Sequence, residues 1–175
     1  MTDEFVKQFK KEAGWYPLGE DYNEDDRAII ADTYVGYKCT EQERFMTIKN
    51  ISEHFPLDLW TLSDVSRFPK ANYRGGADSV TMMPKIFKCS KINLSMTNRP
   101  IRTGMPLRMF DTMGAGGFLL TNYQAEIPEY FEIGKDLEVY ESQEDLLNKI
   151  AYYLEHDDER MKIAENGQNK IKNEH

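Results

Sequence analysis

Cysteine is scarce in this chain: only Cys39 and Cys89 are present, with no CxxC pair. That supply excludes a disulfide framework and a structural zinc site, and two buried free thiols are expected. Positive charge is short as well, with 22 Lys and Arg against 30 Asp and Glu and a formal net charge of −8. Without a basic field, duplex or single-stranded nucleic acid is not an expected partner, and any anion must be bound locally. No apolar run reaches membrane-spanning length, and Met1 to Lys11 intersperses charges with Phe5, Val6 and Phe9 instead of forming a signal segment. A cytoplasmic protein without a membrane span is the expectation. His54, His156 and His175 lack metal-ligand spacing, and neither a GxSxG nucleophile motif nor an internal repeat occurs. No metal site is expected, and no catalytic residue is assigned.

Apolar material, by contrast, is ample: hydrophobic residues make up 40% and aromatics 12% of 175 residues. That suffices for one core and falls short of two, so residues 1–175 read as a single lobe. Residues 1–55 form a mainly helical lead. Phe5, Val6 and Phe9 predict a helix over 2–13, Gly14 and Pro17 end it, and an acidic loop follows. Residues 27–31 read as helical with Gly36 as their end, and Thr40-Glu41-Gln42-Glu43 reads as a capping box opening a helix with Phe45, Ile48 and Ile51 on one face.

Residues 56–175 form the α/β core. A strand is expected over 56–61, with Leu57, Leu59 and Leu62 alternating, and then a Pro-, Asn- and Gly-rich loop through Gly76. A short helix spans 82–90, a strand 91–96, a loop 97–105 and a helix 106–113. The apolar run Phe118-Leu119-Leu120 and the stretch 137–140 read as buried parallel strands. Ser142 and Asp145 predict a second capping box, before an amphipathic helix carrying Leu146, Leu147, Ile150, Tyr153 and Leu154. A last helix over 157–173 is expected to turn Met161, Ala164 and Ile171 inward. Strands alternating with helices over short connections imply a Rossmann-like, mostly parallel sheet with helices on both faces.

Ligands of such sheets bind beyond the carboxyl ends of the strands, which places the loops after Met96, Leu120 and Tyr140 in view. The first of these carries Arg99 and Arg102 and feeds a helix starting at Pro106. Proline at the first helical position gives up an amide that had no partner, while the remaining amides and the helix dipole favour an anion. Gly104 permits close backbone approach. Arg102 and Arg108 offer guanidinium groups to phosphate oxygens, or pair with surface carboxylates. Asp111, on the same helix, accepts from ribose hydroxyls or is an exposed helix charge. Residues 121–129, including Asn122 and Glu129, supply a second polar wall. Gly114 to Gly117 follow a helix and precede a strand, the reverse of a dinucleotide fingerprint, and read as a helix terminus packed close to a strand.

The motifs IRTGMPLRMFD, GAGGFLLTNY and YYLEHDDER, within residues 90–167, resemble the C-terminal domain of CgeB-like glycosyltransferases, which are named by analogy with spore maturation proteins. The resemblance implies the C-terminal, donor-binding lobe of a GT-B fold that holds a nucleotide sugar and needs no bound metal or other cofactor. By that likeness Arg102, Gly104, Met105, Pro106, Leu107 and Arg108 bind the donor diphosphate, and Thr103, Asp111, Asn122 and Glu129 bind ribose or sugar. Thr103 stands where retaining enzymes of this group often carry glutamate, a departure that leaves the stereochemical outcome open. An N-terminal acceptor-binding domain is the implied partner. The lobe alone is expected to be inactive without it, and the chain reads as a fragment that lacks the first strand of its sheet. Arg102→Ala is expected to weaken diphosphate binding, with Arg160→Ala as the neutral control. The alternative is a non-catalytic GT-B-like interaction module in spore or cell-surface assembly.

Overall fold

The computed structural model describes Glu4, Gln8, Lys11, Ala28, residues 30–101 and residues 103–174. Glu4, Gln8 and Lys11 are helical, while the rest of the first expected helix, the acidic loop, Arg27, Arg102 and His175 lie outside the described residues. The chain folds as two compact units, one of residues 1–43 and 98–100, the other of residues 44–97 and 101–175.

In the first unit a π-helical segment, Ile30–Gly36, runs without a break into α1, Tyr37–His54, so Gly36 does not end a helix. The Thr40 capping box does not form either. Thr40 lies inside the helix, where its hydroxyl donates to Gly36 O at 2.9 Å and accepts the Arg99 N–H at 2.9 Å. A loop anchored this way removes the need for a helix start at Thr40. The Arg99 guanidinium is bound by both carboxylate oxygens of Glu43.

The second unit holds β1 (Asp58–Trp60), β2 (Asn72–Gly75), α2 (Met83–Cys89), β3 (Asn93–Ser95), α3 (Leu107–Gly114), β4 (Leu119–Asn122), α4 (Ile127–Tyr130), β5 (Glu138–Tyr140), α5 (Gln143–Glu155) and α6 (Asp157–Glu174). Every described strand pair is parallel. They form two sheets, β1-β2 and β3-β4-β5, where the sequence predicted one. Strand β2 lies inside the expected Pro/Asn/Gly loop, and Leu62, expected inward, is 90% exposed.

Adjacent residues of β4 divide the core. Leu120 packs with Phe118, Tyr140, Ile51 of α1, Leu146, Ile150 and Tyr153 of α5, and Ile163 of α6. Leu119 packs on the other face with Met109 and Met113 of α3, Ile127 of α4, and Val139. Period-two alternation in a sheet covered on both faces produces this split, and each fully buried Leu contributes about 1.5–3 kcal/mol. The resulting α/β fold is the Rossmann-like one predicted.

At α5 the expected cap forms, with Ser142 Oγ accepting the Asp145 N–H. The Asp145 carboxylate reaches back to Glu141 N and not to the capping residue. On α6 the buried face is Arg160, Ile163 and Gly167, and Met161 is 57% exposed, against expectation. Arg160 takes the inward position because its guanidinium donates to Tyr153 O and Asp157 Oδ1. It is a structural residue and no neutral control. Cys39 and Cys89 are both exposed, not buried.

Three exposed aspartates give the fold an acid dependence. The Ser66 N–H holds Asp64 below the usual carboxylate range, the Thr81 N–H does the same for Asp78, and the Arg160 guanidinium followed by Lys91 does so for Asp157. Depressed carboxylates stabilise the fold above their unfolded pKa of about 4 and lose that contribution as pH falls through the lower folded value. Thermal melting is therefore expected to hold steady from pH 7 to 5 and decline below about pH 4. Asp78→Asn should show a shallower decline, and identical acid profiles for variant and parent would contradict the assignment.

Candidate functional site

Strands β3 and β4 run in register, so their carboxyl ends open side by side, where ligands of parallel α/β sheets sit. Just beyond β3, buried Thr97 donates its N–H to Asn122 Oδ1 at 2.7 Å and ties the two strand ends together. The Thr97 hydroxyl oxygen is buried without a hydrogen-bond partner among the described residues. Such a group costs about 1–3 kcal/mol in a folded protein. Beside it Thr121 is fully buried at the end of β4.

The connection to α3 passes through exposed Thr103 and then Gly104, at φ +97° in the left-handed region. A Cβ at Gly104 would meet nothing within 4 Å, so the backbone conformation and not crowding selects glycine there. The Gly104 N–H donates to Glu126 Oε2 at 2.5 Å. Half-buried Met105 packs on the Met109–Met113 side of the core.

Pro106 lies one position earlier than predicted. At φ −62° and ψ 140° it is extended and forms the N-cap, and the helix begins at Leu107. Proline cannot cap with its side chain, and the Met109 N–H turns back to Pro106 O. Among the described residues nothing caps the amides of Leu107 and Arg108 at the positive end of the helix. Leu107 itself is 81% exposed.

The polar side chains around this end fall into two groups. Arg108 lies 3.8 Å from Asp111 Oδ2, with its guanidinium carbon 5.5 Å from the centre of the Phe87 ring, so it leans along α3 toward α2. Both members of that pair are about half exposed. Asn122 has its carbonyl oxygen engaged by Thr97, and its amide nitrogen is 3.4 Å from Tyr123 O. Glu129 sits exposed in the first turn of α4, with its N–H donating to Glu126 O.

Sequence reasoning held Glu126 only as one member of the wall 121–129, without singling it out, and passed over Thr97. Glu126 immediately precedes the Ile-Pro start of α4, and Thr97 is the first residue after the expected strand 91–96, which is the signal either one offered. Behind the site, Asn93 Nδ2 donates to Phe87 O and Phe118 O. Gly117 sits against them: a Cβ there would lie 2.6 Å from Phe87 O and 2.7 Å from Asn93 Nδ2. The glycine stretch is thus a helix end pressed onto strand and loop backbone.

Among the described residues no group of three or more His, Cys, Asp or Glu could hold a metal ion, and no helix is long and apolar enough to cross a membrane. No curated protein matches the chain. Residues 43–175 match the family described as glycosyl transferase-like, a span that contains every described strand and both walls of the crevice. By that match over most of its length and by its parallel α/β architecture, the chain belongs to the glycosyl transferase-like family, within the GT-B superfamily of enzymes that transfer sugars.

Proposed function

We propose that this chain is the donor-binding lobe of a CgeB-like glycosyltransferase. It takes a nucleoside-diphosphate sugar and acts with an N-terminal acceptor-binding domain. The observation that carries the reading is the uncapped N-terminus of α3 at the carboxyl ends of β3 and β4. Two free amides, a dipole of about half a unit charge and a glycine-bearing approach suit a diphosphate.

In this reading the Met105, Leu107 and Arg108 amides hold the diphosphate, with Gly104 and Pro106 shaping its approach, together with the side chains of Arg102 and Arg108. Thr103, Asp111, Asn122 and Glu129 face ribose and sugar. Glu126 and Thr97 join them, the latter offering its unpartnered hydroxyl to the ligand. The helix end and basic side chains stabilise the negative charge that builds on the departing diphosphate, a role that requires no metal.

Calorimetric titration with UDP, GDP, ADP and dTDP sugars tests the reading, with saturable binding of one donor expected. Arg102→Ala should weaken that donor about tenfold, the scale of one charge-assisted hydrogen bond, whereas exposed Lys162→Ala should not. Absence of binding by all four rejects it. The Arg108–Asp111 pairing favours the second reading, a non-catalytic GT-B-like module, and intact donor binding with sugar turnover by the full-length protein would exclude that one.

A further inference from the structure

The carboxylate of Glu126 crosses the crevice and accepts the Gly104 N–H at 2.5 Å. Its backbone is pinned at the N-cap of α4: Ile127 is fully buried, the Ile127 N–H donates to Gln124 O at 3.1 Å, and Glu126 O accepts the Glu129 N–H at 3.1 Å. The half-buried side chain thus has a fixed origin on one wall and a fixed end on the other. Anion binding as such gains nothing from this contact. The carboxylate takes one backbone donor of the loop and sets a negative charge beside the rest, and among the described residues no cation pairs with it. The Met105 amide is one residue further on, at most about 3.6 Å along the chain. An anion held there lies within about 10 Å of the carboxylate, the range over which charges act at about 0.1 M salt. A carboxylate also only accepts hydrogen bonds; phosphate oxygens have none to offer it, whereas sugar hydroxyls do.

We infer, resting on the donor reading, that Glu126 is a specificity-determining residue: it makes the crevice favour a diphosphate that carries a sugar over the free nucleoside diphosphate left after transfer. Transfer moves the sugar carbon from the terminal phosphate oxygen to the acceptor group, which loses a proton, and the phosphate oxygen keeps the bonding electron pair. A phosphate that carried a single negative charge as a sugar ester then carries about 1.5–2 at pH 7. The added charge appears beside Glu126, which repels it. The sugar hydroxyls, which donate to carboxylate oxygens, have left at the same time. Charge and hydrogen bonding therefore change together in the direction that releases product, while the intact donor meets the weaker repulsion. A purely structural clamp on the Gly104 turn would need no charge, because a neutral amide oxygen accepts an N–H as well.

Glu126→Gln separates the charge from the clamp, since its amide oxygen still accepts the Gly104 N–H. Calorimetry on the full chain in metal-free buffer compares four pairs of probes: UDP-glucose with UDP, GDP-mannose with GDP, ADP-glucose with ADP, and dTDP-glucose with dTDP. For each pair that binds the parent, Glu126→Gln should bind the free diphosphate more tightly than the parent does and shift the ratio of the two Kd values by about threefold or more in its favour. The melting temperature should be unchanged. Glu155→Gln, which removes the same charge from the exposed end of α5, should alter neither Kd. Weaker or unchanged binding of the free diphosphate by Glu126→Gln would overturn the inference and leave the donor reading standing. So would equal tightening of both ligands, which no discriminating residue produces. Failure of every probe to bind the parent would overturn both.

Discussion

Gly167→Ala is expected to destabilise the protein by about 3 kcal/mol or more, the largest effect of a methyl addition at any of the described glycines. A Cβ at Gly167 would run into Asp136 O and lie 3.1 Å from Met113 Cε. The methionine end can move and the carbonyl cannot. Asp136 is fixed by its N–H donating to Glu132 O at 2.9 Å and by its carboxylate accepting the Glu132 N–H, and it leads directly into Leu137, which is fully buried. Relief would require α6 to lift away from the approach to β5, breaking the contacts of Ile163 and Ile171 with the two sides of the core. Gly114→Ala makes the comparison: its Cβ would meet only Ile171 Cγ2, at an ordinary 3.6 Å. Urea unfolding should show a large drop in midpoint for Gly167→Ala and a change within about 1 kcal/mol for Gly114→Ala. Equal midpoints for the two would refute the packing described for α6.

Leu107→Asp is expected to separate stability from function. Leu107 is the first residue of α3 and is 81% exposed, so little packing is lost. A carboxylate in the first turn of a helix stabilises it by about 0.3–1 kcal/mol. The same charge, placed beside the Leu107 and Arg108 amides, occupies or repels at the position proposed for the diphosphate. Donor affinity should fall at least tenfold, equivalent to about 1.4 kcal/mol, while the melting temperature is unchanged or slightly raised. A fall in both would make Leu107 a structural residue. Unchanged affinity would move the diphosphate away from this helix end.

How far these features were legible in the sequence depended on how local their causes are. Helix α5 has Leu146, Ile150 and Tyr153 at helical spacing behind a Ser142 cap, and both signals survive folding because each is satisfied within the segment. Strand β4 announced itself as an uninterrupted apolar run because both of its faces are covered. Strand β2 did not. Three of its four residues are exposed, so it carries no alternation, and only pairing with β1 makes it a strand.

Local signals misled where a distant partner intervened. Thr40 resembled a cap until Arg99 and Gly36 claimed its hydroxyl. Arg160 displaced Met161 from the inner face of α6 because the Tyr153 carbonyl lies within its reach. At the site, Gly104 and the start of α3 were visible from chemistry alone, with an error of one position at Pro106. Glu126 was legible only as part of the wall 121–129 and Thr97 not at all, because their significance lies in contacts across the crevice, from Glu126 to Gly104 and from Thr97 to Asn122, between segments far apart in the chain.

The central claim is that the donor diphosphate sits on the N-terminus of α3. Backbone amide chemical shifts followed by NMR while the chain is titrated with the tightest-binding nucleoside-diphosphate sugar test it most directly. Saturating shifts should appear at Gly104, Leu107 and Arg108, with smaller ones at Thr97, Asp111 and Asn122 and none at Asp157 or Lys162. Saturable binding whose shifts leave Gly104, Leu107 and Arg108 unmoved would contradict the account.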